Sequence, residues 1–261
     1  MIEIDINPIA FTIGSVVVRW YGIMVALAIV VLILWMLREV KRKNYPYETV
    51  INGALIAIPS GVIVSKLLHV IDQWGYYSQN PGQIFNGAGL TIYGAVIGGA
   101  LGIWIYTKIS KLPFGAPADS LAPGIILAQT IGRVGCIING CCYGEPTTLP
   151  CGVVYTHPES YAPLGIAVHP TQVYEIIYNL IVFAVLLKLR GRLKPDGSLF
   201  LIYLSLYSAW RIGIGFLREG TPIIFGLHQA QIIGIIILAI AIPMLALRTR
   251  WVQANEENER E

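Results

Sequence analysis

Residues 21–37 read Tyr21-Gly22-Ile23-Met24-Val25-Ala26-Leu27-Ala28-Ile29-Val30-Val31-Leu32-Ile33-Leu34-Trp35-Met36-Leu37, and the basic cluster Arg38, Lys41, Arg42 and Lys43 follows at once. Taken over 16–37, this run has the roughly 20 apolar residues that cross a hydrocarbon core. Working outward, comparable runs occupy 48–71, 89–109, 117–137, 171–189, 197–217 and 226–247. The fourth holds Pro117, Pro123, Gly124 and Gly132 and is expected to be broken or partly re-entrant. Composition agrees. Of 261 residues, 55% are hydrophobic and 13% charged, against about a quarter charged in soluble domains. Mean hydropathy is +0.65. These values exclude a soluble enzyme and a disordered chain. The net charge of +3 is too small and too scattered to suggest nucleic acid. Continuous rather than alternating apolar runs argue against a barrel. The expectation is an all-α polytopic membrane protein with about seven transmembrane helices. Residues 1–250 would form one catalytic domain, and 251–261 an acidic, solvated cytoplasmic tail.

Basic residues set the orientation. Lys108 and Lys111 follow the third run, Lys188, Arg190, Arg192 and Lys194 the fifth, and Arg248, Arg250 and Arg260 the last. With seven spans all of these share the side of Arg38–Lys43, which the positive-inside rule makes cytoplasmic. The N-terminus is then outside. The acidic start, Met1-Ile2-Glu3-Ile4-Asp5-Ile6, lacks a basic n-region and a small-residue cleavage site, so the first helix is expected to be retained. Arg19, Lys66, Arg133, Arg211 and Arg218 fall in or near the outer halves of spans, where a charge must snorkel or line a polar cavity. Arg133 and Arg211 lie in richly polar or aromatic runs, and two converging arginines suit a phosphate.

The densest segment is Ile131-Gly-Arg-Val-Gly-Cys-Ile-Ile-Asn-Gly-Cys-Cys-Tyr-Gly-Glu-Pro-Thr147. Its glycines let backbone N–H groups approach a ligand, and Arg133 beside them could hold a phosphate; the alternative is a tight re-entrant turn with Arg133 as an anchor. In Val168-His-Pro-Thr-Gln-Val-Tyr-Glu175, Pro170 suits a helix start, Glu175 suits the first turns, and His169 could relay a proton. Tyr203, Tyr207, Arg211 and Arg218 recur at offsets that share one helix face. Gly87–Gly99, containing Tyr93, carries small residues for close helix contact. Arg19-Trp20-Tyr21-Gly22 opens the first run in a similar way.

Together these segments resemble prolipoprotein diacylglyceryl transferase, over residues 14–247. The resemblance implies a bacterial inner-membrane enzyme with its site toward the outer leaflet. Such an enzyme moves the diacylglyceryl group of phosphatidylglycerol to a lipobox cysteine of a prolipoprotein signal peptide, forming a thioether and releasing glycerol 1-phosphate. By matching position, Tyr21, Arg133, Asn139, Gly144, Tyr207 and Arg211 carry over as functional, with His169, Gln172 and Glu175 in a supporting segment. Tyr93 stands where many members have His, Cys136 where Asn is usual, Cys141 where an acidic residue is usual, and Gly215 where an acidic partner of Arg211 is common.

The implied chemistry calls for no metal or organic cofactor. It needs arginines to stabilise charge on the leaving phosphate and a base for the thiol, for which Tyr93, His169 and Glu175 are candidates. Glu175 or another carboxylate is expected to balance one arginine, because an unpaired buried Arg is costly. If Gly215 is a lost acidic partner, Gly215→Glu is expected to keep or improve transfer; if the cavity is rebuilt around the glycine, transfer is expected to collapse. Cys136, Cys141, Cys142 and Cys151 are expected to be dispensable for chemistry. They also allow other readings: a membrane thiol redox protein, although no C-x-x-C pair exists, or a zinc site with His157, although the spacing is not a standard one. A non-catalytic phospholipid transporter would likewise need a phosphate site.

Overall fold

The computed structural model describes residues 1–14, 16–44, 46–85, 92–111, 114–219 and 226–252. The chain runs β1 (Ile2–Ile4), β2 (Ile9–Ile13), β3 (Val16–Arg19), α1 (Trp20–Arg42), α2 (Glu48–Asp72), α3 (Trp74–Tyr77), a 3-10 turn (Pro81–Phe85), α4 (Ile92–Ile109) and α5 (Gly115–Asn139). It continues through β4 (Val153–Tyr155), β5 (Ala167–Val168), α6 (Thr171–Leu189), β6 (Leu193–Lys194), α7 (Ser198–Gly215), α8 (Gln229–Arg248) and β7 (Arg250–Trp251). Among the described residues six helices, α1, α2, α5, α6, α7 and α8, are long and apolar enough to cross a membrane. The third expected span, 89–109, corresponds to α4, whose described apolar run, Ile97–Ile109, is shorter. Large apolar side chains such as Leu34, Ile63, Ile181 and Ile240 are exposed along these helices, as lipid contact requires.

Residues cluster into two compact units, one of Met1–Leu34 with Gly115–Glu261 and one of Trp35–Phe114. In the second unit, α2 and α4 pack backbone to backbone. A Cβ on Gly94, Gly98 or Gly102 would lie 2.4 Å from Ser65 Cα, 2.3 Å from Ser60 O and 2.3 Å from Ser60 Oγ, respectively. The four-residue spacing makes one glycine stripe on α4. The close approach lets Ser60 Oγ donate to Gly98 O at 2.6 Å. Gly98→Leu is therefore expected to separate the pair and destabilise it by about 1–3 kcal/mol, the usual range for overpacking. Unfolding in micelles checks this. The first residues of the Gly87–Gly99 segment, through 91, lie outside the described residues.

The first unit is built on α5, α6 and α7. Ala122, Ile126, Val182, Leu186, Leu199 and Tyr203 form its buried apolar centre. The expected break in the fourth span is absent, because α5 runs unbroken through Pro123. Its small buried face, including Ala118, Ala122, Pro123 and Gly124, lies in the packed interior, where neighbours tolerate a missing backbone N–H. Asp119 of α5 accepts from the N–H groups of Gly197 at 2.8 Å and Phe200 at 2.8 Å, so a carboxylate on one helix caps the start of α7.

Short strands, which the apolar-run reading passes over, close the ends. β1 pairs in parallel with β4, and β5 pairs antiparallel with β4. Their alternation is visible in Ile2-Glu3-Ile4, but three residues are too few to outweigh the helical runs. Val16–Arg19 is not the start of the first span; it is β3, paired with β2. At the start of the expected tail β7 pairs with β6, Leu193 opposite Trp251, which is itself exposed. That pairing holds the C-terminal ends of α6 and α8 together. Residues 253–261 lie outside the described set.

Candidate active site

Glu175 lies one turn into α6 and is 2% exposed. Arg133, near the end of α5, places Nη2 at 2.9 Å from Glu175 Oε1. Arg211, near the end of α7, places Nη1 at 3.7 Å from Glu175 Oε2. The Tyr207 hydroxyl, one turn before Arg211, donates to Glu175 Oε1 at 3.4 Å. Three helices thus bring two guanidinium groups onto one buried carboxylate, as the sequence required of some acid. The excess charge is positive. The two arginine side chains are each 16% exposed. Arg211 Nη1 has no hydrogen-bond partner among the described residues. The arrangement can therefore accept a further anion without losing its internal counter-ion.

The turn after α5 is fastened to the start of α6. Thr171 Oγ1 donates to the Cys142 carbonyl at 2.6 Å, and Gln172 Nε2 to the Cys141 carbonyl at 2.8 Å. Gln172 also donates to the Tyr155 hydroxyl at 3.4 Å. Burial, reinforced by the neighbouring Cys141 thiol, pushes the Tyr155 phenol up to about 12 and keeps it neutral. Gly144 donates its N–H to His169 O at 2.9 Å. A Cβ there would lie 2.5 Å from Leu217 O and 2.7 Å from Thr171 Cγ2, so three segments cross where only hydrogen fits. Asn139 Oδ1 accepts from Arg19 Nη1 at 3.3 Å. Arg19 also meets Glu159 Oε2 at 3.5 Å and lies over the Tyr161 ring at 4.4 Å. Tyr21 abuts α5: a Cβ on Gly135 would sit 3.3 Å from Tyr21 Cα.

The sequence profile of the family described as prolipoprotein diacylglyceryl transferase matches residues 8–247. The chain belongs to this family. A Dehalococcoides mccartyi protein named phosphatidylglycerol–prolipoprotein diacylglyceryl transferase is 52% identical over 259 residues, spanning 99% of this chain and 100% of the relative. Proteins of the same name from Clostridioides difficile and Symbiobacterium thermophilum are 40% and 36% identical, over 88% and 92% of this chain and 90% and 92% of the relatives. The diacylglyceryl transferase family and the apolar helices together make this an integral membrane protein of a transferase family, as the motifs led one to expect.

Several sequence expectations change in three dimensions. Ile131–Asn139 is the helical end of α5 rather than the alternative re-entrant turn; helical spacing puts Arg133 and Cys136 on one face, and Arg133 Nη1 donates to Cys136 Sγ at 3.8 Å. Arg218 does not share the face of Tyr203, Tyr207 and Arg211, because α7 ends at Gly215. It lies in the following turn, bridged to Gly144. The His169 side chain shares a hydrogen bond with Tyr174 OH at 3.4 Å rather than meeting Glu175 or either arginine. Tyr93 lies on α4, in the other unit, and its side chain is outside the described residues.

The space beside Gly215 is filled. A Cβ there would lie 2.6 Å from Gln231 Cδ, a side chain only 1% exposed. Gln231 is held by a hydrogen bond to Ile212 O at 3.0 Å and by its reciprocal cap of α8 with His228. The premise for Gly215→Glu therefore fails. The substitution is expected to force α7 from α8 and to lower both stability and yield of folded protein in micelles. Sequence reasoning placed Arg19 and Thr171 within motifs without their partners and missed Glu159; those partners are over a hundred residues away or on other elements. The T-Q dipeptide after His169-Pro170 was the available signal for Thr171.

Proposed function

We propose that this protein transfers the diacylglyceryl group of phosphatidylglycerol to the lipobox cysteine of a prolipoprotein signal peptide. The supporting observation is Glu175 shared by Arg133 and Arg211. The lipid phosphodiester carries one negative charge, matching the excess positive charge of this trio. Attack by the cysteine sulfur forms a C–S bond at the glyceryl methylene and breaks the C–O bond to phosphate. The thiol proton passes to a base, and glycerol 1-phosphate departs with its charge increased. Arginines already oriented by Glu175 stabilise that added charge without reorganising. Tyr207 holds the carboxylate in place. Tyr21, Asn139, Gly144 and Gln172 shape the surrounding turn and α1 wall that would face the lipid, and His169 and Tyr93 are candidate proton acceptors. Glu175 is a weaker candidate, since both its oxygens are committed.

In this reading residues 1–250 work as one transmembrane catalytic domain of the bacterial inner membrane. The site opens to the outer leaflet, and the C-terminus is cytoplasmic. The basic residues in the last turns of α1, α4, α6 and α8 support that orientation. The test incubates the purified protein with labelled phosphatidylglycerol and a lipobox peptide. The expected result is a thioether-linked diacylglyceryl peptide with stoichiometric glycerol 1-phosphate. Folded protein that yields neither product refutes the reading.

A further inference from the structure

We propose that Cys136, Cys141 and Cys142 form a binding site for a thiophilic metal cation of the zinc and cadmium class, beside Arg133. Their three Sγ atoms all lie within 4.8 Å of one another. Thiolates sharing one tetrahedral ion at about 2.3 Å are about 3.8 Å apart, so closure needs shifts of about 1 Å or less. The C-x4-C-C spacing is not a standard zinc pattern, and the fold supplies the convergence instead. Cys136 is fixed on α5, and its carbonyl accepts from the Cys141 N–H at 3.1 Å. Cys142 has φ of 63°, a left-handed conformation uncommon outside Gly, Asn and Asp. Such a conformation persists where neighbours over-determine it, here through Thr171 and Gln172 clamping the carbonyls of Cys142 and Cys141.

The chemistry of the three thiols suits a cation. Cys136 is buried, whereas Cys141 and Cys142 are partly exposed. A cavity of about 250 Å³ lined by Cys142, Tyr143, Arg218 and Glu219 brings the Cys142 edge of the group within reach of a cation. Binding forms three metal–sulfur bonds, breaks the three S–H bonds and releases their protons to solvent. A fourth position stays open to water. Cys151 is not part of the group; its Sγ shares a hydrogen bond with Tyr174 OH at 3.4 Å.

A divalent ion with three thiolates has a net negative charge. It would sit against Arg133, which already donates to Cys136. Occupancy would therefore compete with phosphate for Arg133 and suppress transfer, a consequence that rests on the proposed function, whereas binding itself does not. The experiment titrates the purified, phosphine-reduced protein in micelles with Cd²⁺ and follows thiolate-to-metal charge-transfer absorption. One equivalent per chain is expected, lost in C136S, C141S and C142S and retained in C151S. C141S and C142S lie outside the helix, so they keep the test decisive if C136S misfolds. The absence of a charge-transfer band, or one that survives C142S or disappears in C151S, overturns the site. In the transfer assay, Cd²⁺ should suppress the parent, a chelator should restore it, and C142S should resist. Metal bound with transfer unchanged overturns the link to Arg133. Metal bound in a protein that never forms thioether refutes the transferase reading and leaves the site standing.

Discussion

Arg133→Ala is expected to lower diacylglyceryl transfer by about 10²–10³-fold, the loss typical of removing one preorganised donor from developing charge, while the protein still inserts and folds. Arg133 is the closer of the two arginines to Glu175, at 2.9 Å against 3.7 Å. Its removal leaves Glu175 beside Arg211 and Tyr207, so no buried charge is stranded. The rate should fall mainly in kcat, because the added charge on the leaving phosphate exists only after the ground state. Arg133→Lys should recover little. One ammonium cannot hold Glu175, Cys136 and a phosphate in the divergent directions of a guanidinium. Labelled-lipid turnover, beside a circular-dichroism spectrum of each variant, checks this. Near-parental turnover in a well-folded Arg133→Ala protein would remove Arg133 from the chemistry.

Glu175→Ala should behave differently, failing first in stability. Removing the carboxylate leaves Arg133 and Arg211 facing each other inside the helix bundle with no shared anion. Breaking a buried pair in this way typically costs about 3–5 kcal/mol. Glu175→Gln keeps the shape and an acceptor oxygen but loses the charge, and is expected to fall between the parent and Glu175→Ala. Phosphatidylglycerol, by supplying an anion, should raise the unfolding midpoint of Glu175→Ala more than that of the parent. Denaturant unfolding in micelles with and without the lipid measures the difference. Equal lipid stabilisation of both proteins would mean that the phosphate binds elsewhere. This comparison also separates positioning from chemistry, since Arg133→Ala should lose rate with little loss of stability.

The membrane architecture was legible because about 20 apolar residues in a row have few alternatives in water or lipid. The run at 171–189 coincides with α6 (Thr171–Leu189). Residue types carried the site's membership too: an Arg or a Glu in an apolar run is costly enough that its presence demands a partner. Pairing of those charges was decided only by the tertiary structure. That Glu175 would serve both Arg133 and Arg211 depends on α5, α6 and α7 meeting around Ala122, Val182 and Tyr203, which helical periodicity does not encode. Long-range packing likewise overruled two local signals. Pro123 left α5 unbroken within a buried helix face, and Gly215 proved to be the space that Gln231 fills. Cys136, Cys141 and Cys142 carry no recognisable spacing, yet one left-handed residue and two side chains of α6 draw their sulfur atoms together. Local sequence determined which groups could not stand alone in lipid. The contacts between distant segments decided which groups they would stand beside.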